Sequence, residues 1–441
     1  MKSIKDKKVT VIGAGLSGKG ASQLASYLGA EVLLTDIKNK LDYKEKYDRI
    51  KISLGTYPEE AFQSELIIVS PGIDCQKNEF VIKLAKQNIP IISEIEFASW
   101  FTKSKLIAIT GSNGKSTVVE ILGNIIKHKY PNAMVGGNIG IPFSENVLRE
   151  LKNKLTNVIH VLEISSYQLE KTYAFKPQIA CILNISKDHL DRYDSYENYY
   201  KTKFKIYNNN KLFYNIEDEI LKHKFEGLSN TVPFSIKNDK SFLIKNNRII
   251  NKANNTFIEL SKVKLIGKHN IENILAVLHM LNEIKVEHEI VEKTIYNFQS
   301  LNHRMEKINN HPLIINDSKS TNIHSCKAAI DSFDSDIILI LGGYSAESID
   351  ENEIISIINK KNIKNVICYG QVGMKLHEII DRYNNSRYLE NLKKATKEAI
   401  INLSADMTLL FSPGFKSFDQ FNNFEERGNA FKKHILEYYK K

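Results

Sequence analysis

An α/β fold of three units is predicted by three glycine-rich turns, each directly following an apolar, strand-like run. They are V-T-V-I-G-A-G-L-S-G (9–18), L-I-A-I-T-G-S-N-G-K-S-T (106–117) and I-I-L-I-L-G-G-Y (337–344). A short continuous apolar run reads as a strand buried on both faces, and a glycine turn at its end lets the chain reverse into a helix. The 441 residues exceed one ordinary domain. Hydrophobic content of 42% and charged content of 25% are those of a soluble globular protein. The units are expected at 1–94, 95–301 and 302–441.

In the first unit, strands are expected near 9–12, 32–35, 67–70 and 90–92, with helical stretches at 19–28 and 79–87. Residues 93–101 cross into the second unit, whose strands fall near 106–109, 158–162 and 179–183. A polar, β-rich stretch follows from 211 to 265. The run N-I-E-N-I-L-A-V-L-H-M-L from Asn270 has helical spacing of apolar residues. The third unit has strands near 313–316, 337–341, 366–369 and 408–411, and a helix is expected to open at Ser417.

Several classes are disfavoured. No apolar run is long enough to span a membrane. The N-terminus, M-K-S-I-K-D-K-K, lacks the apolar core of a secretory signal. Cys75, Cys181, Cys326 and Cys368 are scattered with no C-x-x-C pair, so neither zinc nor disulfides are suggested, and a cytoplasmic location is expected. Net charge is +10, but the lysines are spread along the chain rather than clustered as in a nucleic-acid footprint. No nucleic-acid partner and no membrane insertion are therefore expected. The charge can help draw in a polyanionic substrate.

The second glycine turn carries the strongest chemical signal. Gly111, Ser112, Asn113, Gly114, Lys115, Ser116 and Thr117 combine a tight turn, a lysine and two hydroxyls where a helix begins. N–H donors, helix dipole and lysine all favour a polyphosphate, so ATP with magnesium is expected here. Only two residues separate Gly111 from Gly114, against four in the common phosphate loop. Glu163 ends the run V-I-H-V-L-E and is placed to hold magnesium. The segment N-I-S-K-D-H-L-D-R-Y brings His189, Asp191 and Arg192 to a strand end, where Asp191 and Arg192 are expected to brace each other. Lys201, Lys203 and Lys205 alternate along K-T-K-F-K, a pattern ordinarily solvated. The third unit offers Arg304 for a phosphate, Asp317 for a ribose, and a polar turn with Lys319, Thr321 and Asn322.

The first turn, with Gly13, Gly15, Gly18 and then Asp36, matches a dinucleotide fingerprint. Alone it would suggest NAD and a dehydrogenase, but that reading leaves the phosphate loop and the C-terminal motifs unexplained. Any nucleotide diphosphate fits the same geometry.

Together these motifs resemble the Mur ligases, and within them the D-glutamate-adding branch. The resemblance runs through G-A-G-L-S-G, S-P-G-I (70–73), T-G-S-N-G-K-S-T, G-G-N-I-G-x-P (136–142), L-E-I-S-S-Y-Q-L-E and D-H-L-D-R-Y. It continues through L-x-G-x-H-N-x-x-N (265–273), H-R-M-E, N-D-S-K-S-T-N and S-F-D-Q-F-x-x-F-E-x-R-G (417–428). It implies an N-terminal Rossmann-like domain, a central P-loop-type ATPase domain and a C-terminal Rossmann-like domain, in a chain acting as a monomer. It implies ATP-dependent joining of D-glutamate to UDP-N-acetylmuramoyl-L-alanine through an acyl phosphate. It assigns Lys115, His189 and Lys203 to catalysis, and Ser116, Glu163, His189 and Lys203 to two magnesium sites, with Lys203 converted to a carbamate. Asn273, Arg304 and Asp317 would hold ATP. Leu16, Ser17 and Asp36 would read the uridine nucleotide, with Ile37 where a hydroxyl is usual, and Asn138 would face the muramoyl group. D-Glutamate would meet Lys319, Thr321, Ser417, Phe418 and Phe424. The family's lysine three residues after the second glycine of L-G-G is Ala346 here. Charge balance makes Lys416 the expected replacement, with Lys319 as a second contact; the alternative is a different amino-acid specificity.

Overall fold

The structure is a computed structural model describing residues 3–41, 49–188, 192–346, 348–360 and 362–439. Three large sheets follow one another along the chain. The first is wholly parallel, with strand order Ile50–Leu54, Glu31–Asp36, Lys8–Ile12, Leu66–Val69, Ile91–Ser93. The order reverses at Lys8–Ile12, so a crevice opens beyond that strand's carboxyl end, at Gly13. The second sheet, also parallel, runs Thr231–Phe234, Lys211–Asn215, Ile179–Ile182, Lys105–Thr110, Ile159–Glu163, Met134–Gly137. Lys105–Thr110 is central and ends in the phosphate loop. A small antiparallel sheet of Phe242–Lys245, Arg248–Asn251 and Phe257–Glu259 accounts for part of the polar stretch. The third large sheet is parallel except for its edge strand Glu306–Asn310, which pairs antiparallel with Leu313–Asn316.

Four strands escape the sequence pattern. I-K-I-S-L at Ile50–Leu54, E-K-I-N-N at Glu306–Asn310 and S-R-Y-L at Ser386–Leu389 are edge strands, polar and half exposed, without a continuous apolar run. M-V-G-G at Met134–Gly137 is half glycine, and Gly136 and Gly137 are forced there. A Cβ on Gly137 would lie 2.3 Å from the Glu163 carbonyl oxygen. The helix expected at Ser417 starts instead at Phe424. The Ser417 carbonyl accepts from the Gln420 and Phe421 N–H groups, which closes a single turn. Asn423 then accepts from the Glu426 N–H at 2.7 Å.

The first and second sheets share one apolar core. Leu24, Ile95 and Phe97 belong to the same buried cluster as Phe143, Leu148 and Leu162. Helix Leu16–Tyr27 lies so close to helix Phe143–Lys152 that a Cβ on Gly20 would stand 2.7 Å from the Ser144 Oγ. Two buried carboxylates pin this junction. Glu96 accepts from the N–H groups of Tyr173, Ala174 and Phe175 and from the Trp100 indole. Glu94, 1% exposed, accepts from the Ser144 N–H in the first turn of Phe143–Lys152. The third sheet has its own clusters, one on each face. Among the described residues no helix is long and apolar enough to cross a membrane.

Burial pushes the Glu94 carboxyl up to about 7 against an ordinary 4.5. The folded state therefore holds this proton where the unfolded chain has lost it. Ionising Glu94 costs stability as pH rises from about 4.5 to about 7, by at most about 3 kcal/mol. Glu94→Gln keeps an acceptor for the Ser144 N–H and has no charge to bury. Its urea midpoint is expected to match the parent at pH 5 and exceed it at pH 8. Equal offsets at both pH values would contradict the assignment.

Candidate active site

The phosphate loop closes at the end of Lys105–Thr110 and hands over to helix Lys115–Lys129. Gly114 has φ +85°, and a Cβ there would stand 2.4 Å from the Asn273 Oδ1. Only glycine permits both the left-handed turn and that approach. The Ser112 hydroxyl is buried, accepting from the Ser186 N–H (2.9 Å) and lying 2.9 Å from the Tyr199 hydroxyl. Asn113 donates its N–H to the Asn184 Oδ1 (2.8 Å). Lys115 folds over the loop, its Nζ donating to the carbonyls of Gly111 (2.8 Å) and Ser112 (2.9 Å).

Glu163, 2% exposed, sits on the neighbouring strand end. One oxygen accepts from the Ser116 hydroxyl at 2.5 Å and the other from the Asn138 amide at 2.8 Å. Arg304, arriving from the segment that leads into the third sheet, donates to the same Ser116 Oγ at 2.7 Å. The three alternate lysines diverge because residues two apart on a helix point some 200° apart. Lys201 is exposed and pairs with Glu197, and Lys205 donates to the Glu170 carbonyl. Lys203 turns inward, 2% exposed, with its Nζ 3.1 Å from the Gly111 carbonyl and over the Tyr199 ring. Burial, then the neighbouring Lys115 charge, hold its amine well below the ordinary lysine range, against the pull of Asp188 and Glu163. Burial also lowers Lys115 and Arg304, and brings Lys319 to about 8. One buried and three half-buried cationic side chains thus gather in the field of Glu163, with Asp188 acting on Lys203 and Lys115 as well.

A crevice of about 280 Å³ adjoins this cluster, lined by Asn113, Thr117, Asn273, Arg304, Asp317 and Lys319. Asp317 accepts from the Met305 N–H and the Ser412 hydroxyl, and burial raises its carboxyl to about 7. The Lys319 ammonium lies 3.7 Å from the centre of the Phe424 ring. A second crevice, of about 330 Å³, is lined by Lys187, Asp188, Thr321, Tyr344, Ala346 and Lys416. Tyr344 and Lys416 exchange backbone hydrogen bonds of 2.8 and 3.1 Å, which sets Lys416 across from the segment carrying Ala346. Ser417 is buried beside it, whereas Phe418 is 62% exposed with its ring against Tyr344. At the first sheet, the Asp36 carboxylate accepts from the N–H groups of Ala14 (2.7 Å) and Lys38 (2.9 Å). Leu16 and Ile37 are exposed there, and Ser17 is half-buried.

His189 and Asp191 lie outside the described residues. Arg192 is braced by Glu170, in a two-pronged pair of 2.9 and 2.7 Å, and by the carbonyls of Pro71 and Ile73. The described partners of Arg192 thus come from other elements, while the expected partner Asp191 lies outside the described residues. One residue absent from the sequence reading is His324, whose Nδ1 stands 3.3 Å from the Asn113 amide and ties the third sheet's first helix to the phosphate loop. It directly follows the N-D-S-K-S-T-N-I run, the one signal that pointed toward it.

The donors suit magnesium. Ser116 Oγ and Glu163 are oxygen ligands within one hydrogen bond of each other. Among the described residues no three His, Cys, Asp or Glu side chains converge. Magnesium bound by few protein oxygens plus substrate phosphates needs no more.

Comparison with known proteins agrees with this geometry. The family model described as "Mur ligase MurD-like, N-terminal domain" matches residues 7–93, "Mur ligase middle domain" matches 109–281, and "Mur ligase, glutamate ligase domain" matches 303–415. The UDP-N-acetylmuramoylalanine--D-glutamate ligase of Christiangramia forsetii is 34% identical, with 97% of this chain and 99% of that protein covered. The protein of the same name from Buchnera aphidicola is 36% identical, covering 96% and 97%. Among solved structures, a pseudomurein peptide ligase type C from Methanothermus fervidus shares the fold, with TM-score 0.63, 20% identity, and 98% and 99% covered. The MurF ligase from Thermotoga maritima in complex with ADP does so with TM-score 0.59, 16% identity, and 98% and 96% covered. Similarity above 30% along nearly the whole length, on a frame of three α/β sheets with a phosphate loop at the centre of the second, makes this chain a member of the Mur ligase family.

Proposed function

We propose that this chain joins D-glutamate to UDP-N-acetylmuramoyl-L-alanine at the expense of ATP, a step of peptidoglycan precursor synthesis, acting as a monomer in the cytoplasm. The observation that carries the reading is the gathering of Lys115, Lys203, Arg304 and Lys319 around Glu163 at the phosphate loop. Desolvated cations that repel one another are a receptor for a triphosphate. A reducing compartment suits the chain's four unpaired cysteines.

A carboxylate resists amine attack, so ATP must supply a leaving group. The alanyl carboxylate oxygen attacks the γ-phosphorus, ADP departs, and an acyl phosphate forms. The amine of D-glutamate, having shed its proton, attacks the acyl carbon; the C–O bond to phosphate breaks and the amide remains. Neither step requires covalent chemistry from the protein, which works by positioning and charge neutralisation. In this reading Gly111 to Thr117 wrap the phosphates, Lys115 moves from the loop carbonyls to the β- and γ-phosphates, and Arg304 stands at the γ-phosphate. Asn273 and Asp317 hold the nucleoside. Ser116 and Glu163 would hold magnesium, joined by His189 and by Lys203 as its carbamate; magnesium there supplies charge neutralisation on the transferred phosphoryl group. Asn138 keeps Glu163 aimed and faces the muramoyl side. Leu16, Ser17 and Asp36 take the uridine nucleotide. The second crevice takes D-glutamate, with Thr321 and Lys416 lining it, Ser417 and Phe418 beside Lys416, and Lys319 and Phe424 toward the phosphates.

The test is release of ADP and phosphate with UDP-N-acetylmuramoyl-L-alanine, comparing D-glutamate, L-glutamate and D-aspartate. One ADP per amide is expected with D-glutamate, and much less with the others. In the same assay Lys416→Ala should raise KM for D-glutamate by about 10–100-fold, the worth of a charge-assisted hydrogen bond, with KM for ATP nearly unchanged. Absence of ADP formation with D-glutamate refutes the function; an unchanged KM in Lys416→Ala refutes that contact alone.

A further inference from the structure

Arg427, in the first turn of helix Phe424–Tyr439, is the largest side chain among the described residues that the fold buries completely. All of its hydrogen-bond partners among the described residues are neutral oxygens. Its Nε donates to the Ser318 Oγ (3.0 Å) and its Nη2 to the Ser318 carbonyl (2.7 Å). Its Nη1 donates to the carbonyls of Phe415 (2.9 Å) and Lys416 (3.1 Å). The Ser318 hydroxyl in turn donates to the Phe424 carbonyl (2.8 Å), so the helix start and the turn hold each other.

Burying a guanidinium costs several kcal/mol, and apolar side chains of similar volume usually pack such a space more favourably. With no carboxylate paired to it among the described residues, stability alone is a poor reason for this arginine. Its partners suggest a better one. Ser318 lies between Asp317 and Lys319, which line the first crevice, and Lys416 lines the second. A planar fork with donors at fixed angles holds two backbone segments at a set spacing, which a point charge on a flexible stem does not. A third turn fits beneath it only as glycine: a Cβ on Gly343 would stand 2.3 Å from the Lys416 carbonyl and 3.0 Å from Nη1.

We propose that Arg427 is a positioning residue for the ligation, fixing the turn that carries Asp317 and Lys319 at working distance from the turn that carries Lys416 and Ser417. The inference rests on the assignment of the two crevices to ATP and D-glutamate. Arg427→Lys and Arg427→Ala separate it from a purely structural role. Damage to folding alone lowers the fraction of active enzyme, so kcat falls while every KM stays put. Loosened spacing raises KM for both ATP and D-glutamate, by about tenfold or more for displacements approaching 1 Å. KM for UDP-N-acetylmuramoyl-L-alanine, whose nucleotide end sits on the first sheet, should stay within about twofold on the same argument. Guanidinium ion, which fits the space left in Arg427→Ala, should restore part of the loss. Arg427→Lys retains charge and bulk, and serves if the alanine variant does not fold. Unchanged KM for ATP and D-glutamate in the lysine variant overturns the proposal. If the parent enzyme forms no ADP with D-glutamate, it is the functional assignment that fails. Direct ATP binding by calorimetry, parent against Arg427→Lys, then still tests the spacing role on the nucleotide side: weaker binding in the variant supports it, and equal binding overturns it.

Discussion

Replacing Lys203 with alanine is expected to lower kcat by about 10²–10³-fold, the usual cost of losing a group that stabilises transition-state charge. Formate or acetate should then recover part of the activity. The expectation follows from where the side chain is held. Its Nζ contacts the Gly111 carbonyl and shares the cluster with Lys115, so a third or fourth ammonium there repels any metal that Glu163 binds. Burial favours the uncharged amine. An uncharged amine can add carbon dioxide: a C–N bond forms, a proton leaves nitrogen, and the group becomes an anion. A cation that hinders metal binding becomes an oxygen ligand. A small carboxylate diffusing into the alanine variant supplies the same oxygens without the tether, whereas a lysine serving only as packing leaves nothing for a carboxylate to replace. Steady-state ADP release by Lys203→Ala, with and without added carboxylate, measures this. Full activity of the unrescued variant rules the assignment out.

The three-unit plan and the phosphate loop were legible because both depend on local patterns: an apolar run, then glycines with fixed offsets. Glu163 was legible for the same reason, closing an apolar strand, whereas Asn138 entered only through the family resemblance, because the glycine-rich strand before it shows no apolar run. Lys203 stood out from Lys201 and Lys205 only through family resemblance. The helix explains the choice, because it sends one of three alternate lysines inward, and composition carries no sign of which. What escaped the sequence are contacts between residues far apart along the chain. Arg304 reaches Ser116 across 188 positions, and Arg427 reaches Ser318 across 109. Glu94 and Glu96 look like ordinary acidic residues in the first turn of a short helix, and only the docked second sheet makes them buried acceptors. The edge strands escaped for a different reason: polar residues facing solvent erase the apolar run that marks their central neighbours.

Glu163→Gln should lower kcat by about 10²–10³-fold while leaving the fold intact, and should shift the magnesium dependence to higher concentration. The substitution keeps volume and removes charge. The carboxylate now accepts from both the Ser116 hydroxyl and the Asn138 amide. A glutamine offers one acceptor oxygen and one amide nitrogen, so it keeps the Ser116 bond and meets Asn138 nitrogen to nitrogen until the Asn138 amide turns over. The backbone bond from the Asn138 N–H to the Glu163 carbonyl is untouched. Hydrogen bonding is thus largely recoverable, and what is lost is the anion amid Lys115, Arg304 and Lys319. Two effects then add. Magnesium loses its one buried carboxylate on this strand, and the cations lose the charge that offsets their mutual repulsion. ATP itself, a polyanion, gains from the second effect, so its KM should hold or fall while the metal requirement rises. A magnesium titration at saturating ATP, parent against variant, reads the two apart. A chelator should abolish ADP release in both, and an identical magnesium half-saturation would place the metal away from Glu163.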